Sequence, residues 1–233
     1  MHRHKIPFRS FAVLAATCFA VVAADAPPAD ARPLPSFRAE VPLLDTIDVI
    51  VRRRSVIAVD PTVGFDVARV PLLVGEDVLW SGSRGRVGLV VTDKRVLAIS
   101  TGAPVWHETR FRIRESLPNA VLLGDRVALV TTDDRIIGMA AGGGPLRLRD
   151  IGTHESLLDA VIGENLAIVI TDKRVLGLSA FAGGFFQESV GIHEDFEYSK
   201  ASANFATVAT DRRLLLFEAS SGDWRTRRFR LDD

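Results

Sequence analysis

The chain has 233 residues, an apolar share of 47%, a charged share of 25% and a formal net charge of zero. This composition is that of a folded globular protein and not of a disordered one. A neutral balance excludes a global electrostatic pull toward nucleic acid or anionic lipid.

The first residues read as a targeting segment. Arg3, Lys5 and Arg9 precede an apolar run from Phe11 to Ala24, with no acid before Asp25. That pattern predicts a cleaved signal peptide over residues 1–24, with Val22-Ala23-Ala24 as the small-residue cleavage site, and so a periplasmic or secreted protein. Cys18 is the single cysteine and lies inside the run. Removal of the segment therefore leaves a chain without disulfides or thiolate metal ligands. It also removes three cations and no acid, for a mature charge of about −3. Residues 25–35, rich in proline and alanine, read as a flexible lead-in.

The remainder, residues 36–233, is organised by a repeat. Val90-Val91-Thr92-Asp93-Lys94-Arg95-Val96-Leu97 returns around Thr132-Asp133-Asp134-Arg135, Thr171-Asp172-Lys173-Arg174 and Thr210-Asp211-Arg212-Arg213. The aspartates step by about 40, 39 and 39 residues, a period that suits one blade of a β-propeller. One step earlier, Ile47 to Val59 keeps two apolar stretches around a polar turn without Thr-Asp, which predicts a divergent first unit over residues 36–72. Each phrase is a tight hairpin between two β-branched strands. Further strands are predicted before it, at Val78, Ala120, Ala160 and Glu197, and after it, at Val105, Arg147, Phe185 and Trp224. The fold expected is all-β: a five-bladed β-propeller of four-stranded antiparallel blades, with an open or dimerising blade array as the alternative.

Ala98-Ile99-Ser100-Thr101-Gly102-Ala103-Pro104-Val105-Trp106, matched by Phe217-Glu218-Ala219-Ser220-Ser221-Gly222-Asp223-Trp224, resembles the repeat of quinoprotein-type (PQQ-type) propellers. The resemblance implies the fold and a flat side chain packed between neighbouring blades. It does not carry over the quinone cofactor, because the vicinal cysteine pair used by many of those enzymes is absent. A second likeness, of Gly75 to Trp80 with Thr92 to Arg95, is to a bacterial pleckstrin-homology-like domain; a fourfold repeat does not suit it.

Two recurring features bear on function. The Asp and basic residues of the phrase suit turn chemistry, with Asp closing the hairpin and Lys or Arg keeping its tip soluble. Some 17 or 18 residues before each Asp stands Glu76, Glu115, Glu155 or Glu194, the last two preceded by His154 and His193. If these side chains meet at one mouth of a central channel, Glu76, Glu115, His154, Glu155, His193 and Glu194 are the candidate ligands of a divalent cation. The competing reading has each acid bonded to backbone amides or to an arginine. No nucleophile elbow, zincin motif, phosphate loop or dinucleotide fingerprint occurs in the mature chain. No catalytic residue is assigned, and no cofactor is expected beyond that cation. The function expected is an exported binding or scaffold protein without catalytic activity, contacting an envelope or extracellular protein or a small ligand. The alternative is a cation-dependent or carboxylate-based hydrolase, or a sugar-binding lectin, at the channel mouth. Nucleic acid is not an expected partner.

Overall fold

The computed structural model describes residues 47–60, 64–101, 103–142 and 144–229. The predicted signal peptide, the lead-in and the start of the first unit lie outside the described residues. The described chain forms nineteen strands in five sheets, met one after another along the sequence. Sheet 1 contains β1 (Asp48–Arg52), β2 (Ser55–Asp60) and β3 (Gly64–Pro71). Sheet 2 contains β4 (Val78–Arg84), β5 (Val87–Thr92), β6 (Arg95–Ser100) and β7 (Ala103–Arg110). Sheet 3 follows with β8 (Ala120–Leu123), β9 (Val127–Thr131), β10 (Arg135–Ala140) and β11 (Arg147–Asp150). Sheet 4 holds β12 (Leu157–Ile162), β13 (Leu166–Thr171), β14 (Arg174–Ser179) and β15 (Gly184–Ser189), and sheet 5 holds β16 (Phe196–Ala201), β17 (Phe205–Thr210), β18 (Arg213–Glu218) and β19 (Asp223–Arg228).

Every sheet is an up-and-down antiparallel meander, which is the blade of a β-propeller repeat. The eight strands predicted before and after the phrases are all present. Sheet 1 has three described strands, equivalent to the last three of the other sheets.

The core lies between sheets. In sheets 2 and 4 the second strand is buried on both faces, Val87–Thr92 and Leu166–Thr171 throughout, because one face meets the preceding sheet and the other the following one. Thus Leu89, Val91 and Val96 of sheet 2 pack on Val130, Ile137 and Met139 of sheet 3. Val127, Leu129 and Ile136 of sheet 3 pack on Val169, Leu176 and Leu178 of sheet 4, whose Ile168, Ile170 and Val175 meet Val208, Leu215 and Phe217 of sheet 5. Continuous apolar runs, rather than strict alternation, are the sequence trace of this double burial. The expected flat side chains are in place. Trp106 and Trp224 sit at the junctions with the preceding sheets, their indole N–H groups donating to the carbonyls of Ala68 and Phe186 at 3.3 and 3.1 Å.

Successive first hairpins touch through their backbones. The amides of Ile47, Arg86, Arg126 and Asn165 donate to the carbonyls of Gly85, Asp125, Glu164 and Ala203, each in the following sheet. This approach leaves no room for a side chain at the tip: a Cβ on Gly163 would stand 1.9 Å from the Ser202 carbonyl oxygen, and one on Gly124 2.1 Å from that of Gly163. Gly163→Ala is therefore expected to destabilise the protein by about 1–3 kcal/mol, the usual cost of overpacking, measured as a lowered urea midpoint with an unchanged slope.

The expected closure of the ring is not seen among the described residues. Sheets pack in sequence order, and the fifth sheet keeps one face open. Its central strands alternate between buried and partly exposed positions, where sheets 2 and 4 are buried on both sides.

Candidate functional site

The four repeated glutamates stand on equivalent four-residue turns that lead into sheets 2 to 5. In each turn the Glu amide donates to the carbonyl three residues back, as Glu76 does to Leu73 and Glu194 to Gly191. The carboxylate returns the bond, accepting the amide of that same residue: Leu73, Arg112, Gly152 and Gly191 all donate to their glutamate. Gly75 and Arg114, the third residues of two of these turns, have φ of 63° and 72°. That left-handed conformation suits Gly75 and strains Arg114.

Each carboxylate is then met by the arginine of the Thr-Asp phrase in its own sheet. Arg95, Arg135, Arg174 and Arg213 donate through Nε to Glu76, Glu115, Glu155 and Glu194 at 2.8, 2.7, 2.8 and 2.7 Å. The pairs are enclosed: the glutamate side chains are 0–5% exposed, and those of Arg95 and Arg135 are 4% exposed. The hydroxyls of Thr92, Thr132, Thr171 and Thr210 donate to the same carboxylate oxygens at 2.8, 2.9, 2.7 and 2.7 Å. These threonines also accept the amides of the next turn residues, as Thr92 does from Lys94 and Arg95. The guanidinium reaches further still. Nη2 of Arg95, Arg135, Arg174 and Arg213 donates to the carbonyls of Pro71, Arg110, Asp150 and Ser189, at the end of the preceding sheet's last strand. One Glu–Thr–Arg clamp thus ties a turn to its own hairpin and to the sheet before it.

Burial pushes each of the four carboxyls toward a higher pKa. The arginine hydrogen bond, the turn amide and the threonine hydroxyl together outweigh it, and all four are held below the ordinary glutamate value. Arg95 and Arg213 are raised, first by the hydrogen bond each donates to its glutamate.

These facts place the six predicted cation ligands. Glu76, Glu115, Glu155 and Glu194 are each brought to an arginine rather than to one another, while His154 and His193 are exposed on the turns. Among the described residues no three His, Cys, Asp or Glu side chains are grouped as a metal site. The tip chemistry is also redistributed. The arginine does not solvate the hairpin but lies inside the clamp, and threonine rather than aspartate closes the turn. The aspartates bridge outward: Asp93, Asp172 and Asp211 accept the amides of Asp77, Ser156 and Asp195 at 2.9, 2.9 and 3.0 Å, and Asp133 accepts from the Asn119 side chain at 2.6 Å.

What the clamped turns display is different in kind. The second residue of each turn, just past the amide that the glutamate holds, is Val74, Ile113, Thr153 or Ile192. Val74, Ile113 and Ile192 are 100, 95 and 96% exposed. Sequence reading missed this row, because Ile113 and Ile192 stand alone beside arginine or glycine and Val74 reads as the end of the Leu72-Leu73 run. Its signal was available only by superposing the units on their glutamates. The turns and the hairpin tips share one end of the array, so the aliphatic row is surrounded by exposed charges such as Asp93, Arg112, Asp172 and Arg212.

No family model matches the chain, and no curated protein matches it. Among solved structures it is similar to human WBSCR16 (9% identity, 71% of this chain and 56% of that one, TM-score 0.37). It is likewise similar to BamB from Moraxella catarrhalis (14% identity, 78% and 61% covered, TM-score 0.33) and to Prp20p from Saccharomyces cerevisiae (9% identity, 80% and 61% covered, TM-score 0.39). The chain spans little more than half the length of these three proteins.

Proposed function

We propose that the protein is an exported interaction scaffold that works without catalysis and meets an envelope or extracellular protein with the clamped-turn end of its sheets. The observation that carries this reading is the row of Val74, Ile113 and Ile192, almost wholly exposed at one repeated position. Isolated surface aliphatics are ordinary, but the same position left bare in three of four turns, with Thr153 in the remaining one, repeats one apolar contact along the array. The clamps beneath it hold each turn to two sheets, so docking costs little ordering entropy. The hollows beside the turns, such as the one of about 610 Å³ lined by Arg54, Leu73 and Val74, open to solvent rather than enclosing the row, which suits the broad surface of a protein more than a small substrate.

A carboxylate or cation chemistry on Glu76, Glu115, Glu155 and Glu194 would first have to break the arginine and threonine bonds that saturate them. The mature chain is expected to retain a specific protein from an envelope extract, and Val74→Asp/Ile113→Asp/Ile192→Asp to lose it with an unchanged melting temperature. Hydrolysis of a glycoside or ester that disappears in Glu155→Gln, with the fold intact, would overturn the reading. Fractionation of cells producing the full chain checks the export on which the choice of partner rests.

A further inference from the structure

The open face of sheet 5 is not built to receive another blade. In the three preceding sheets the positions of Phe205 are Val87, Val127 and Leu166, each fully buried by the sheet that follows, yet Phe205 is 50% exposed. Two features that make those junctions are missing here. The tip residue that is glycine in sheets 2 to 4 is Ser202, so the close backbone approach is blocked on this side. Ser55 of sheet 1 stands where each later sheet carries its clamp arginine, so sheet 1 has no such side chain to reach back to a preceding sheet.

The face is nonetheless apolar. Phe181, Phe205 and Leu216, with Asn204, Glu218 and Ser220, line an open groove of about 580 Å³ at the Glu218–Asp223 end of the face. Its charges are arranged with opposite signs at opposite ends. The cross-strand pair Leu214–Arg227 marks the hairpin-tip end, and the pair Glu218–Asp223 marks the other. Arg225 is satisfied by Glu218 at 3.2 Å, whereas the side chains of Arg227 and Asp223 have no partner among the described residues.

We infer that this face docks on the same face of a second copy of the chain, in an antiparallel, twofold arrangement. Turning one face end for end over the other sets Arg227 of each copy against Asp223 of the other, lays Leu216 on Leu216 and brings Phe205 of each copy over the Ala209–Leu214 pair of the other. Such self-complementarity is what an isologous interface requires. A face of four six-residue strands measures about 19 by 20 Å, below the ~1,200 Å² in total at which specific stable interfaces begin, so the dimer is a weak one. The clamped-turn end stays free, which makes this inference independent of the partner reading.

Sedimentation velocity over a concentration series of the mature chain tests it. The wild type is expected to show a reversible monomer–dimer equilibrium. Phe205→Asp/Leu216→Asp should weaken it by about 100-fold, as expected when large apolar side chains lose buried contacts. Arg227→Glu and Asp223→Arg should each weaken it by about tenfold, and the two together should restore it. Ile50→Asp, on sheet 1, should leave it unchanged. Phe205, Asp223, Arg227 and Ile50 are exposed and Leu216 is partly buried, and the melting temperature of each variant reports that it has folded. A wild type that remains monomeric overturns the inference, as does a dimer indifferent to Phe205→Asp/Leu216→Asp. A dimer abolished by Ile50→Asp, or a charge-swapped pair no better than its single variants, does so too.

Discussion

Arg135→Met should cost the protein about 3–5 kcal/mol of folding free energy, the penalty for leaving a buried carboxylate without its counter-charge. Glu115 is then enclosed with only Thr132 and the Arg112 amide as partners, and its side chain is 0% exposed. The same change also deletes the bond to the Arg110 carbonyl, so it loosens sheet 3 from sheet 2. Equilibrium urea denaturation of the variant measures the loss directly. The double variant Arg135→Met/Glu115→Leu should recover part of it, because removing both charges also removes the uncompensated one. Arg174→Met should cost less than Arg135→Met, since the Arg174 side chain is 22% exposed against 4% and water can replace part of what is lost. Equal losses at the two sites would mean that enclosure does not set the strength of the clamp.

Acid should undo all four clamps within one pH range. Each glutamate is held below 4.5 in the folded protein, so between its folded and unfolded values the unfolded chain binds more protons. Stability therefore rises with pH across that window: the clamp contribution is complete above the unfolded value and is lost as pH falls through the folded one. Four equivalent groups titrating together predict a steep fall in the urea midpoint below about pH 4.5, steeper than one carboxyl can produce. Replacing one clamp by Glu115→Gln should reduce that slope by about one proton. A midpoint that stays flat down to pH 3 in the wild type would falsify the assignment of these pairs as the acid-sensitive elements.

The part of this architecture that could be read from the chain is the part written locally. Thr-Asp with a basic neighbour is turn chemistry, and β-branched runs on either side of it can only be strands of a hairpin. The hairpins at Asp93, Asp133, Asp172 and Asp211, and the strands before and after them, lie where the repeat puts them. Trp106 and Trp224 were legible for the same reason, as single flat residues after a glycine corner.

The candidate site was legible only as a list of positions. Glu76 and Arg95 are nineteen residues apart, and the distance between them in the fold depends on the register of β4 on β5, including the shift between Val78 and Trp80. Counting residues located the glutamates, but counting cannot say whether four carboxylates face one axis or four arginines. The row at Val74, Ile113 and Ile192 was hidden for a related reason: exposure belongs to the packed molecule, and a valine in a turn looks the same in sequence whether or not something covers it.

The sequence by itself determined the unit, its period and the turn that closes each hairpin, because these depend on backbone preferences over a few residues. Tertiary structure alone decided which charges pair, which face of the last sheet stays open and which turn residues stand bare in solvent. Those outcomes depend on burial and on register between segments far apart in the chain, where desolvation makes a buried carboxylate take an arginine from its own sheet.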